Sequence, residues 1–135
     1  MVRRHTPSLS FEVFPPNPAV GNDKIFQALR EMQDLAPHFI SVTASNNKFD
    51  IEETTVRLTE FIANDLKIPT IAHLPAVYLT KDMVSNILQS LDRVGVHQIL
   101  ALRGDIFPDV APKDDFTFAT DLIEYINQVS RKGKI

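Results

Sequence analysis

The 135-residue sequence contains no cysteine and only four glycines. Without cysteine, a disulfide framework and a thiolate metal site are both excluded. The glycines stand too far apart to form a dinucleotide-binding G-x-G-x-x-G motif or a P-loop. A doubly wound nucleotide-binding fold is therefore the weaker of the possible α/β architectures.

Long apolar runs and an excess of basic charge are missing as well. No stretch of about 18 apolar residues is present, so no membrane span is expected. The N-terminal residues are not followed by a secretory apolar core. A net charge of -3 gives no support to nucleic-acid binding. The spacing of His5, His38 and His97 does not suggest a metal site. We expect a cytoplasmic protein without a membrane, metal or nucleic-acid partner.

Strand-like segments recur about every thirty residues, which is the length of one βαβ unit. They are centred near residues 11, 41, 71 and 100. Between and after them lie four segments with helical apolar periodicity. Capping residues are expected at Asn22 or Asp23, at Asp50 with Glu53, and at Thr80. The fourth helix is expected to carry the apolar positions from Ala119 to Val129. The pattern predicts four βα units forming a parallel sheet with right-handed crossovers.

The fourth strand runs directly into a cation, a glycine and a carboxylate. Residues 99–105 read ILALRGD, four apolar residues followed by Arg103, Gly104 and Asp105. Such a short apolar run predicts a strand that is buried on both faces. Gly104 allows a sharp turn or a close approach to a ligand. The alternative is a surface salt bridge between Arg103 and Asp105 in an ordinary loop.

Polar residues stand at the C-terminal end of every predicted strand. These are Glu12, Thr43, His73 and the Arg103–Asp105 trio. In parallel α/β folds and (β/α) barrels this end holds the active site. Each residue has an ordinary structural explanation: a solvated carboxylate for Glu12, a hydroxyl bonded to backbone for Thr43, and a satisfied core histidine for His73. Their occurrence on four successive strands nevertheless favours a site.

Three segments resemble the methylenetetrahydrofolate reductase family, whose members are flavin-dependent barrel enzymes. Residues 10–16 (SFEVFPP) are similar to the signature of its first strand, and residues 39–43 (FISVT) to its second strand. Residues 100–105 (LALRGD) match a third signature, and the helix start at residues 119–122 is similar too. The resemblance spans essentially the whole chain and implies a (β/α)8 barrel of the TIM type.

The resemblance also implies a reaction and the residues that perform it. A reduced nicotinamide cofactor, NADH or NADPH, passes hydride to FAD, which then reduces methylenetetrahydrofolate to methyltetrahydrofolate. This step belongs to one-carbon metabolism and methionine biosynthesis. Glu12 is implied as the general acid and Asp105 as a catalytic residue near the flavin's pyrimidine edge. The flavin-contacting positions of the family are matched by Thr43, His73, Leu102, Arg103, Gly104, Asp105, Phe118 and Ala119.

Two departures from the family pattern bear on completeness and on the flavin contacts. Pro75 and Ala76 stand where relatives commonly have Thr and Cys. An eight-unit barrel usually needs about 250 residues, whereas four units are expected here. Residues 1–135 are therefore interpreted as the N-terminal half of the barrel, with a second copy or a complementing C-terminal half as its partner. The alternatives are a non-catalytic half-barrel that binds flavin or a partner, and another barrel enzyme such as a pterin-binding transferase.

Overall fold

Helices and strands alternate along the chain. A computed structural model describes residues 6–17, 19–44 and 51–131. The strands are β1 (Ser10–Val13), β2 (Phe39–Val42), β3 (Thr70–Pro75) and β4 (Gln98–Leu102). The helices are α1 (Asp23–Gln33), α2 (Ile51–Glu60), α3 (Lys81–Arg93) and α4 (Ala119–Arg131). A π-helical turn, Phe61–Asp65, continues α2, and a 3₁₀ turn, Ala76–Tyr78, follows β3. No helix in the described ranges is long and apolar enough to cross a membrane.

The four strands form one parallel sheet in the order β1-β2-β3-β4. Because a parallel sheet aligns the C-terminal ends of its strands, Thr43 and residues 103–105 come to one edge, whereas Glu12 and His73 lie within β1 and β3. The register pairs Glu12 with Ser41 across β1 and β2, and His73 with Leu100 across β3 and β4. The predicted parallel α/β sheet is confirmed.

One face of the sheet is covered by the helices. The register identifies the strand residues whose side chains point to this face. They pack with side chains of the four helices in two apolar clusters. Their strand members are Phe11, Val13, Ile40, Val42, Ala72, Leu74, Ile99 and Ala101. Burial of these apolar side chains stabilises the layer arrangement, since each buried aliphatic side chain contributes about 1.5–3 kcal/mol. The core therefore lies between the sheet and one layer of helices.

The opposite face carries the alternate residues and has no helix against it in the described part of the chain. A concave cavity of about 630 Å³ lies on it, lined by Glu12, Ser41, His73 and Leu100 and, at the beginnings of β2 and β4, by Phe39 and Gln98. Leu100 is 47% exposed. The prediction that residues 99–102 are buried on both faces is therefore wrong: β4 is an edge strand of a sheet covered on one face.

Local capping explains where α3 begins and ends. The Thr80 hydroxyl accepts a hydrogen bond from the Met83 N–H at 3.1 Å, as predicted for the start of α3. Gly95 follows α3 with φ +79°, a conformation that favours glycine. Asn22 precedes α1, but its side chain makes no capping hydrogen bond. Asp50 lies outside the described residues, so its predicted cap stays a prediction.

The open face and the outer edges of β1 and β4 predict that the chain self-associates. Neither outer edge pairs with another strand in the described part of the chain, and unpaired edges beside an apolar patch favour association. We expect a dimer or a larger species by light scattering. Leu100→Lys, which puts a charge on the open face, should shift the chain toward monomer.

A matched control is Ile123→Lys on the outer surface of α4, where the side chain is 45% exposed in the wild type. This substitution adds the same charge at a similar exposure but away from the open face. It should leave the association unchanged. A wild-type chain that is a stable monomer at all concentrations would contradict the argument from free edges.

Candidate functional site

Glu12, His73 and Leu102 project from the face of the sheet that the helices leave uncovered. The register places them there, alternating with the buried residues of β1, β3 and β4. Arg103, Gly104 and Asp105 follow Leu102 directly beyond the end of β4. Thr43 stands one residue beyond β2. Thr43 and residues 103–105 thus lie at the predicted edge, whereas Glu12 and His73 lie inside their strands.

Glu12 and His73 approach one another on this uncovered face. The distance from His73 Nε2 to Glu12 Oε1 is 3.8 Å. The His73 side chain is 7% exposed, whereas that of Glu12 is 55% exposed. Glu12 therefore faces the open cavity while a buried imidazole stands behind it. The explanation of His73 as an ordinary core histidine does not account for its contact with Glu12.

Burial controls the protonation of His73. Loss of hydration lowers the pKa of His73 below its ordinary value of 6.5, and the negative charge of Glu12 opposes this by raising it. The net direction is downward, so the neutral imidazole is favoured near neutral pH. With His73 neutral, no full positive charge stands beside Glu12.

The Thr43 hydroxyl is buried and has no hydrogen-bond partner among the described residues. The expectation that it bonds to backbone is wrong. Thr55 and Thr70 share this property, but they lie within α2 and at the beginning of β3. Only Thr43 stands at the edge where the other polar residues collect. Because an unpaired buried hydroxyl is unfavourable, Thr43 is suited to meet a polar atom of a ligand.

Gly104 is fixed by backbone conformation and by its neighbours. Its φ is +93°, in the region that favours glycine, and an added Cβ would lie 2.9 Å from the Pro75 Cβ. The close approach places the turn after β4 directly on the end of β3. The Arg103 Nε–H donates to the Gly104 carbonyl at 3.2 Å. No salt bridge joins Arg103 to Asp105 in the described part of the chain, so that alternative is not supported.

The 3₁₀ turn after β3 holds the loop that carries Asp105, and the sequence did not indicate this. The Val77 N–H donates to the Arg103 carbonyl at 3.0 Å. The Tyr78 hydroxyl donates to the Asp105 carbonyl at 2.7 Å and accepts from the Phe107 N–H at 2.9 Å. The only available signal was a tyrosine shortly after the strand, which is too general to predict a contact.

The remaining predicted residues lie at the start of α4. Asp121 caps this end, because its Oδ2 accepts from the Phe118 N–H at 2.8 Å and from the Thr117 N–H at 3.1 Å. The Phe118 side chain is 60% exposed. Phe118 and Ala119 are thus held in place by a local cap, with the aromatic ring presented to the surroundings.

The structure leaves the two predicted catalytic carboxylates apart from one another. No hydrogen bond or ion pair joins the Asp105 carboxylate to Glu12 or His73 in residues 6–17, 19–44 and 51–131. Within these ranges there is also no group of three or more His, Asp or Glu side chains suited to a metal ion. The arrangement offers one carboxyl beside a neutral imidazole, a second carboxylate on an anchored loop, and an unpaired hydroxyl between them along the edge.

Comparison with known proteins gives consistent matches. The sequence model of the methylenetetrahydrofolate reductase family matches residues 1–134. The 5,10-methylenetetrahydrofolate reductase of Buchnera aphidicola subsp. Baizongia pistaciae (strain Bp) is 32% identical over 124 residues, covering 91% of this chain and 41% of the relative. Methylenetetrahydrofolate reductase 2 of Schizosaccharomyces pombe is 30% identical, covering 88% of this chain and 19% of the relative. A probable methylenetetrahydrofolate reductase (NADH) of Oryza sativa subsp. japonica is 29% identical, covering 87% and 20%.

The contact between Glu12 and His73 predicts a pH effect. Glu12→Gln removes the charge that raises the pKa of His73, so His73 should titrate at lower pH in the variant. Because the folded-state pKa lies below 6.5, the unfolded state binds more protons as the pH falls through that value. The free energy of unfolding therefore decreases below about pH 6.5, and Glu12→Gln enlarges the decrease.

An NMR titration of the histidine Cε1–H signals measures the change in the pKa of His73. Asp92→Asn is the control, because it removes a carboxylate beside a different histidine: Asp92 Oδ1 lies 3.5 Å from His97 Nδ1. This substitution should leave the titration of His73 unchanged. A His73 signal that titrates at the same or a higher pH in Glu12→Gln would show that the two side chains do not interact.

Proposed function

This chain belongs to the methylenetetrahydrofolate reductase family, and we propose that it forms part of a flavin-dependent enzyme that reduces methylenetetrahydrofolate. The observation that carries the proposal is the 3.8 Å approach of Glu12 to buried His73 on the sheet face that the helices leave uncovered. The electron donor proposed is NADH or NADPH. When bound, FAD would supply the redox chemistry, taking hydride from the nicotinamide and giving it to the folate, which becomes methyltetrahydrofolate.

The architecture proposed is the first half of a TIM-type (β/α)8 barrel, formed by residues 1–135. The parallel order β1-β2-β3-β4 with helices on one face is what four successive βα units of such a barrel would have. The chain spans 41% of the Buchnera relative and smaller shares of the other two. A second copy or a complementing C-terminal half would then cover the open face. The isolated chain is expected to bind FAD weakly if at all and to show no reductase activity.

The residues at the edge fit a flavin. Thr43 has a buried hydroxyl without a partner in the described part of the chain, and a flavin offers polar atoms along its ring system. His73 adds a neutral imidazole to these polar groups. Apart from Nε, the Arg103 guanidinium nitrogens make no hydrogen bond among the described residues, which suits a phosphate oxygen. Leu102, Gly104, Phe118 and Ala119 would supply apolar and backbone contacts.

The two carboxylates have separate tasks in the proposal. Glu12 faces the cavity and delivers the proton that helps to open the five-membered ring of the folate. His73 supports this by standing neutral behind the carboxyl. Asp105 would orient the pterin, and its negative charge would disfavour added negative charge on a bound flavin. A cytoplasmic location remains a prediction from the sequence.

The role of Glu12 is tested by the Glu12→Gln substitution in the complete barrel, assembled with any second chain that the barrel requires. Glutamine keeps the shape and the hydrogen bonding but cannot deliver a proton. Flavin reduction by the nicotinamide should survive, while folate reduction should fall by about a hundredfold or more. Stopped-flow measurement of the two half-reactions separates these effects. Glu124→Gln on α4 is a control expected to change neither. An equal loss in both half-reactions would remove Glu12 from the role.

The role of Asp105 is tested by its effect on the flavin potential. Asp105→Asn removes a negative charge near the flavin, so the midpoint potential should rise, because the anionic reduced form becomes less unfavourable. Asp114→Asn removes a charge from an exposed position of the same connection and should have little effect. The measurement is a spectroscopic redox titration of the bound flavin. An unchanged or lowered potential in Asp105→Asn would place this carboxylate elsewhere.

A further inference from the structure

The buried side chain of Tyr78 contacts the loop that carries Asp105. The residue is 4% exposed and lies in the 3₁₀ turn Ala76–Tyr78, directly after β3. Its hydroxyl is used twice, as a donor to the Asp105 carbonyl at 2.7 Å and as an acceptor from the Phe107 N–H at 2.9 Å. One phenol oxygen therefore fixes the backbone on both sides of Ile106.

Further contacts tie the same turn to the same loop. The Val77 N–H donates to the Arg103 carbonyl at 3.0 Å, and the Val77 carbonyl accepts from the Lys113 N–H at 2.6 Å. The rings of Tyr78 and Phe107 stack with centroids 6.2 Å apart. The anchored segment thus extends from Arg103 to Lys113. The Asp105 side chain itself is exposed, and the direction of its carboxylate depends on the backbone that Tyr78 holds.

We propose that Tyr78 is a positioning residue, whose hydroxyl fixes the Asp105 backbone so that the carboxylate faces the flavin. The inference rests on the function proposed above for Asp105. Backbone contacts alone leave a loop residue free to rotate about its neighbouring bonds, and the two hydrogen bonds of Tyr78 remove that freedom at Asp105 and Phe107. Since Tyr78 lies beneath the loop, it acts through Asp105 rather than on the ligand.

The test begins with the chain itself and requires no ligand. Tyr78→Phe keeps the buried ring and removes only the hydroxyl, which leaves the Phe107 N–H without its partner. Losing one such hydrogen bond should speed amide exchange at Phe107 by about tenfold. Tyr125→Phe is the matched control. The chain has only two tyrosines, and the Tyr125 hydroxyl also makes a 2.7 Å hydrogen bond, to Ser85 Oγ between α3 and α4.

The second arm measures the flavin potential in the protein with a complete barrel. If Tyr78 acts through Asp105, Tyr78→Phe raises the midpoint potential in the wild-type background and leaves it unchanged in the Asp105→Asn background. A purely structural effect would not disappear in this way. Tyr125→Phe should change the potential in neither background.

The outcomes separate this inference from the proposed function. Unchanged exchange at Phe107 would overturn it, because the hydroxyl would not hold the loop. Faster exchange with no change in potential, or with the same change in both backgrounds, would also overturn it, because Tyr78 would not act through Asp105. A wild-type protein with a complete barrel that binds no flavin would overturn the proposed function itself, and this inference with it.

Discussion

The candidate site depends on the fact that helices cover only one face of the parallel sheet. Strand alternation sends apolar side chains such as Val13 and Ala72 toward the helices, and their chain neighbours Glu12 and His73 to the other side. Parallel pairing then aligns the strand ends, so residues that are some sixty positions apart in sequence come within 3.8 Å. The chemistry of Glu12 and His73 therefore follows from the same pattern that buries the core.

Sequence reasoning predicted the elements well because their signals are local. The capping hydroxyl of Thr80, the turn at Gly95 and the start of α4 at Ala119 are each encoded within a few residues. The burial of β4 was misjudged for the opposite reason. An apolar run such as residues 99–102 does not reveal which of its faces has a neighbour, and Leu100 lies on the face without one.

The sequence indicated the positions of the candidate residues only in part, and not their contacts. The strand-end rule applies to Thr43 and Asp105, whereas Glu12 and His73 lie within β1 and β3, and the rule does not indicate which side chains meet. The distance between Glu12 and His73 depends on rotamers, and the anchoring of Asp105 depends on Tyr78 in a different connection. Pro75 illustrates the same limit. In sequence it departs from the family pattern, and in the structure it packs against Gly104.

We propose that flavin binds at the C-terminal edge of the strands. Adding FAD at millimolar concentration to isotope-labelled chain, and following the backbone amide signals by NMR, tests this directly even when binding is weak. If flavin binds there, the largest shift changes should occur at Thr43, His73 and residues 102–105, with little change on the outer surfaces of α1 and α2. Changes centred on the helices, or on the N-terminal ends of the strands, would contradict it.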